Sequence, residues 1–231
     1  MIHSCFTMGS DDTIFLFDYP GPRFSSPTIK NLVRSRLKDK KAFVFASHSH
    51  GDHFSTEIFE FDKITSETYF VLSDDIRVRE KEHTLDLMYV CPDDKIDIDG
   101  VEIKTFKSND AGVAFLIRYR NKYIYFGGDL ARWDWPEWSE EKRKEHTKVF
   151  DETLTMLKDL EIDLAFSNMD KRLSSWAGPV QFIETVEPKY FVPMHTFGNE
   201  IWIEDLLKED LPSNTTIFYY ERPGDSIHID I

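Results

Sequence analysis

The chain has 231 residues, 41% apolar and 14% aromatic with 19 phenylalanines, enough to build one substantial, phenylalanine-rich core. Its formal net charge of −14 disfavours nucleic-acid binding through a broad basic surface. Cys5 and Cys91 are too few for a disulfide framework, no apolar run is long enough to span a bilayer, and the first residues lack a secretory pattern. The expectation is a cytoplasmic protein with no membrane or nucleic-acid partner.

Two short apolar runs, Ile2–Thr7 and Thr13–Phe17, flank the polar turn at residues 9–12 and predict a hairpin. The spacing of Ile29, Leu32, Val33 and Leu37 predicts a helix over 28–37, and the apolar run 42–46 a buried strand. Further strands are expected at 68–72 and 85–90. Two hairpins should follow: 95–98 with 101–107 around Asp99-Gly100, and 113–119 with 123–126 around Arg120-Asn121-Lys122.

Residues 139–160 read as a long amphipathic helix with Ser139 as N-cap. Strands at 163–166, 190–193, 216–220 and 226–229 are expected to alternate with helices at 179–187 and 201–207. Strands dominate early and alternate with helices late, as in two sheets with helices outside them. No long linker, repeat or low-complexity stretch interrupts the chain, so residues 1–231 are expected to form a single domain.

The run Ser47-His48-Ser49-His50-Gly51-Asp52-His53 is the most specific signal. Three imidazoles and a carboxylate crowd together directly after a buried strand. Such groups are the ligands that zinc, iron and manganese accept, and a strand end followed by a glycine turn can splay them around one point. Asp52 and His53 would sit near the start of a short helix.

The pattern His-x-His-x-Asp-His resembles the metal-binding motif of the metallo-β-lactamase superfamily. The resemblance implies an α/β fold, a four-layer αββα sandwich with metals at one edge between the two sheets. It further implies that His48 and His50 serve one metal and that Asp52 and His53 serve a second.

Other ligands should come from later strand ends. The strand 123–126 runs into Gly127-Gly128-Asp129, where the glycines permit a close approach. By resemblance, Asp129 bridges the two metals. His195, after the strand 190–193, resembles the last histidine of the family and completes the second site. The family usually supplies one more histidine to the first metal, yet the segment 107–112 has none. Asp110 is the best substitute, since a carboxylate can replace an imidazole. Asn109 offers a weaker carbonyl oxygen. Alternatively, the first site is weak or empty and a single metal serves. His83 and His146 lie in charged stretches and read as surface residues.

The opening His3-Ser4-Cys5-Phe6 and the strand-closing Asp18 resemble a branch that contains L-ascorbate-6-phosphate lactonase-like proteins. The resemblance implies that His3 and Asp18 lie behind the ligands and orient them, although His3 reads equally well as an edge-strand residue. Trp133, in a loop with Trp135 and Trp138, either walls a pocket or pins the long helix. Lys171 or Arg172 either pairs with a substrate carboxylate or phosphate, or forms a solvated basic turn.

The function expected is a metal-dependent hydrolase of a small-molecule ester, lactone or phosphodiester. It would use one or two zinc ions, with manganese or iron as alternatives. Asp52 would orient the attacking water or carry its proton, and Asp129 would fix the metal spacing. The competing readings are an iron-dependent redox enzyme of the same superfamily and a non-catalytic metal-binding or sensing protein.

Overall fold

Thr13, Phe15 and Phe17 alternate along one strand with Ile14 and Leu16, yet all five are buried. A strand covered on both faces reads as a continuous apolar run, and this strand sits inside a sheet. The computed structural model describes residues 3–10, 12–76, 85 and 87–230. It divides into two compact units, Met1–Cys91 with Arg222–Gly224, and Pro92–Glu221 with Asp225–Ile231.

The first unit holds a five-stranded sheet in the order β1-β2-β3-β4-β5. Its strands are β1 (Phe6–Gly9), β2 (Thr13–Phe17), β3 (Lys41–Ala46), β4 (Glu67–Ser73) and β5 (Leu87–Val90). β1 and β2 form the antiparallel hairpin, and the remaining neighbours are parallel. The first strand begins later than the apolar pattern predicts. His3 adopts a left-handed φ of 56°, which places it in a turn, and Ile2 lies outside the described residues.

Helix α1 (Pro27–Leu37) starts where Ser26 accepts a hydrogen bond from the Ile29 amide and Pro27 sets the first turn. Ile29, Val33 and Leu37 pack in one core with Ile14, Leu16, Val44 and Leu72. On the other face of the sheet, Phe15 stacks on Phe43 and Phe17 on Phe45 at 5.2 Å, and Phe43 stacks on Tyr69 at 4.9 Å. The parallel register pairs these very residues. Each buried ring contributes roughly 1.5–3 kcal/mol.

After the His48–His53 motif comes a 3-10 helix, Thr56–Lys63, capped by the Ser55 side chain. Asp52 and His53 therefore lie near the start of a short helix, as expected, just ahead of its cap. Their turn is closed by the His53 and Phe54 amides, which both donate to the His50 carbonyl at 2.9 and 2.8 Å. His83 lies outside the described residues.

The second unit holds a seven-stranded sheet in the order β12-β11-β10-β9-β8-β7-β6. β6 (Lys95–Ile98), β7 (Val101–Lys107), β8 (Val113–Tyr119) and β9 (Lys122–Phe126) form an antiparallel meander. Its turns at Asp99-Gly100 and Arg120-Asn121 have positive φ at both positions, the backbone that matches strand twist in two-residue hairpins. From β9 onward the sheet is parallel, through β10 (Ile162–Asn168), β11 (Tyr190–Met194) and β12 (Thr216–Ile217). Helices α2 (Glu140–Leu157), α3 (Pro179–Val186) and α4 (Ile201–Leu206) make the crossovers.

Ser139 caps α2 as expected, accepting from the Lys142 amide. Phe150, Leu154 and Leu157 of α2 share a core with Phe182, Ile183 and Val186 of α3 and with Tyr125, Ala165 and Phe191. The strand expected at 226–229 is absent, and Ile227 is exposed. Alternation produces a strand only where a neighbouring backbone supplies hydrogen bonds. Residues 129, 168 and 195 fall at the same end of adjacent parallel strands β9, β10 and β11. The carboxyl ends of parallel strands are where ligands bind in open α/β sheets.

Candidate metal centre

In the first unit, β2 and β3 end side by side. Asp18 leaves β2 with a left-handed φ of 45° and turns its fully buried carboxylate toward the start of the motif. That carboxylate accepts three hydrogen bonds of 2.7 Å, from the Ser47 amide, the Ser47 hydroxyl and Nδ1 of His53. An ionised carboxylate can only accept, so the His53 proton lies on Nδ1. The Ser47 hydroxyl has given its single proton to Asp18, so at 3.0 Å it accepts from Nδ1 of His48. One aspartate thereby sets the tautomer of two imidazoles, and Nε2 of each ring is the nitrogen with the lone pair.

His48 is held neutral, its pKa pushed down to about 2 by burial and by the neighbouring His53 and His50. His50 is exposed, and a nitrogen of its ring lies within 4.8 Å of one on His48. A second grouping forms around Asp52. Its Oδ2 is 3.3 Å from Nε2 of His3 and 4.0 Å from Nε2 of His53. The hydrogen bond from His3 outweighs burial and holds the Asp52 carboxyl well below the usual carboxylate range. His3 thus touches Asp52 directly instead of lying along a strand edge.

In the second unit the turn after β9 carries Asp129. The Gly127 amide donates to the Phe166 carbonyl at 2.9 Å, and a Cβ at Gly127 would sit 3.3 Å from that same oxygen. Gly128 takes a left-handed φ of 52°. Four consecutive carbonyls of this turn are held by side chains. Asn168 Nδ2 donates to Gly128 and Leu130, Trp133 Nε1 to Asp129, and Asn109 Nδ2 to Ala131. Asn109 Oδ1 also accepts from the Ala131 amide at 3.2 Å, and its Nδ2 reaches the His146 carbonyl at 2.8 Å. Asn109 is therefore a clamp on the turn that presents Asp129.

Asp110 is exposed, and one of its carboxylate oxygens lies within 4.8 Å of one on Asp129. His195, at a left-handed φ of 64°, places Nε2 3.8 Å from Asp129 Oδ1. Within each unit, then, imidazole nitrogens and carboxylate oxygens, the donor types that zinc, manganese and iron accept, lie within 4.8 Å of a neighbouring donor.

The other residues singled out in the sequence have mixed placements. Trp133 is buried, 5.3 Å from the His195 ring, and fastened to the Asp129 carbonyl. Lys171 is committed to Asp205 of α4 and lies over Trp176. Arg172 forks onto Asp170 and lies over Trp135 and Phe197. The ring of His146 packs on Trp138 at 4.5 Å. The sequence reading missed Asn168; like Asp129 and His195, it is a polar residue closing an apolar strand, and that was the available signal.

No protein-family model matches the sequence, and no curated protein shows significant sequence similarity to it. Solved structures do resemble it. Igni18, a metallo hydrolase of the archaeon Ignicoccus hospitalis, aligns with a TM-score of 0.65 at 15% identity, over 100% of this chain and 96% of that one. The metallo-β-lactamase fold protein YhfI of Bacillus subtilis aligns with a TM-score of 0.61 at 14% identity, over 94% and 89%. CmlA, a diiron β-hydroxylase of Streptomyces venezuelae, aligns with a TM-score of 0.52 at 15% identity, over 84% of this chain and 43% of that one. The chain has the metallo-β-lactamase fold, a mixed α/β architecture with two sheets. Among the described residues, no helix is long and apolar enough to cross a membrane.

Proposed function

We propose that this protein is a metal-dependent hydrolase of a small-molecule ester, lactone or phosphodiester, with zinc as the first candidate metal. The proposed ligands are His48, His50, Asp52 and His53 of the first unit and Asp110, Asp129 and His195 of the second. The observation that carries the reading is the buried Asp18, which fixes the tautomer of His53 directly and that of His48 through Ser47. A buried carboxylate dedicated to orienting two imidazoles is the usual support behind histidine ligands.

When bound, a divalent cation supplies a water acidified to near neutral pH and a Lewis acid for a carbonyl or phosphoryl oxygen. The protein's own part is orientation. Asp52, with Oδ2 against His3, would orient the attacking water, and its carboxyl, held low by His3, suits that role better than carrying the proton. Asp129, on its clamped turn, would fix the metal spacing. The pairing of His3 with Asp52, and Asp18 behind His53, support kinship with the lactonase-like branch. The net charge of −14 supports a small-molecule substrate over a nucleic acid.

The test is metal content by elemental analysis of protein purified without added metal, followed by a panel of esters, lactones and phosphodiesters. One or two equivalents of zinc or manganese with turnover are expected. No uptake even after reconstitution overturns the reading. A second reading, redox chemistry at iron, draws on the likeness to the diiron CmlA; bound iron with oxygen uptake decides for it.

A further inference from the structure

Within the second unit, five side chains close a ring of contacts. His195 lies 5.3 Å from Trp133, and Trp133 stacks on Trp135 at 6.3 Å with planes 8° apart. The Arg172 guanidinium carbon is 5.2 Å from the Trp135 ring and 4.5 Å from the Phe197 ring. Phe197 returns to His195 at 4.4 Å, edge to face. A cation and an apolar wall are thus assembled beside one imidazole of the candidate metal centre.

The guanidinium is fixed on three sides. Asp170, fully buried, accepts from Nε at 2.8 Å and also takes Nη2. Trp135 and Phe197 hold its faces. Nη1 makes no hydrogen bond among the described residues, and the side chain is 51% exposed. The edge away from Asp170 is therefore presented to solvent in a set plane, the arrangement that suits two-point recognition of an oxyanion. Lys171 offers no equivalent, being paired with Asp205. Phe197 keeps a half-exposed ring at a left-handed φ of 51°, a conformation unfavourable for an aromatic residue and one that clusters at functional sites.

We propose that Arg172, with Trp135 and Phe197, anchors the substrate, and that the substrate is a small organic oxyanion whose apolar or aromatic portion lies against these rings. The anchoring role rests on the reading of His195 and Asp129 as metal ligands; the binding of an oxyanion at Arg172 does not. The positive charge of Arg172 is countered in part by Asp170, so affinity depends on hydrogen-bond geometry and stacking more than on net field.

The test uses the full chain stripped of metal with a chelator, its fold checked by circular dichroism, titrated with phenyl phosphate and with benzoate. Tryptophan fluorescence reports binding. Saturable binding of at least one probe is expected, weakened about tenfold by Arg172→Gln, the loss of a charge-assisted hydrogen bond. The probe that binds more tightly distinguishes phosphate from carboxylate. Phe197→Ala should also weaken it severalfold. Binding that Arg172→Gln leaves within twofold, or no binding of either probe, overturns the proposal. If Arg172→Gln does not fold, because Asp170 is left buried and unpaired, Phe197→Ala decides: unchanged affinity overturns the proposal. A chain that binds no metal but does bind the probe fails as a hydrolase and keeps the oxyanion site.

Discussion

The Asp18 carboxylate accepts a 2.7 Å hydrogen bond from Nδ1 of His53, and both side chains are fully buried. Asp18→Asn replaces one acceptor oxygen with an amide nitrogen facing an N–H. The His53 ring must then change tautomer or turn away. Zinc affinity, measured by competition with a chromophoric chelator, is expected to fall about 10–100-fold. Affinity equal to that of the unaltered chain would remove Asp18 from any role behind the metal ligands.

The Trp133 indole holds the Asp129 carbonyl at 2.8 Å inside the protein. Trp133→Phe keeps most of the ring and removes the donor, leaving a buried carbonyl without its partner. Urea unfolding should show a loss of about 1–3 kcal/mol. Asn168→Ala should cost more, since one amide serves two carbonyls of the same turn. A change under about 0.5 kcal/mol in Trp133→Phe, typical of an inert surface position, contradicts the clamp.

The two cysteines should react at very different rates. Burial pushes the Cys5 thiol up to about 12, whereas Cys91 is exposed. The thiolate is the reactive species. A chromogenic disulfide reagent at pH 8 should titrate Cys91 in the native chain, and Cys5 only in denaturant. Peptide mapping that finds Cys5 modified first would show that the first strand opens readily.

Asp163 sits almost entirely inside the second unit. Burial raises its carboxyl, but the hydrogen bonds from Lys189 and the Tyr123 amide and the charges of Lys189 and Lys122 overcome this, and the net shift is downward from 3.8. A carboxyl lowered in the folded state adds stability above its unfolded pKa and loses it as pH falls through the folded one. Stability contributed by Asp163 is thus full at neutral pH and fades below about pH 4. In Asp163→Asn, thermal melting should drop at pH 7, and the gap to the unaltered chain should narrow as pH falls to 3. A gap that stays constant across that range would assign the loss to packing instead of charge.

Much of the secondary structure was legible because its signals are local. Ser139 caps α2 since its hydroxyl reaches the amide three residues on. Lys95–Ile98 and Val101–Lys107 pair through a turn that Asp99-Gly100 specifies by itself. The pattern failed at 226–229, where alternation met no partner strand.

The candidate ligands His48, His50, Asp52 and His53 were readable for the same reason: donor atoms of suitable type stand close together in the chain. The sequence by itself thus determined the elements, the motif and the resemblance that pointed to the fold. Tertiary structure alone decided what holds those donors. Asp18 meets His53 because β2 and β3 run parallel and end together. Asn109 and Asn168, from the segment after β7 and the end of β10, close on the Asp129 turn. Which of Lys171 and Arg172 keeps an edge for a ligand depends on where Asp205 and Asp170 fall. Hydrogen-bond partners far apart in sequence leave no periodicity in the chain, so only the packed backbone can bring them together.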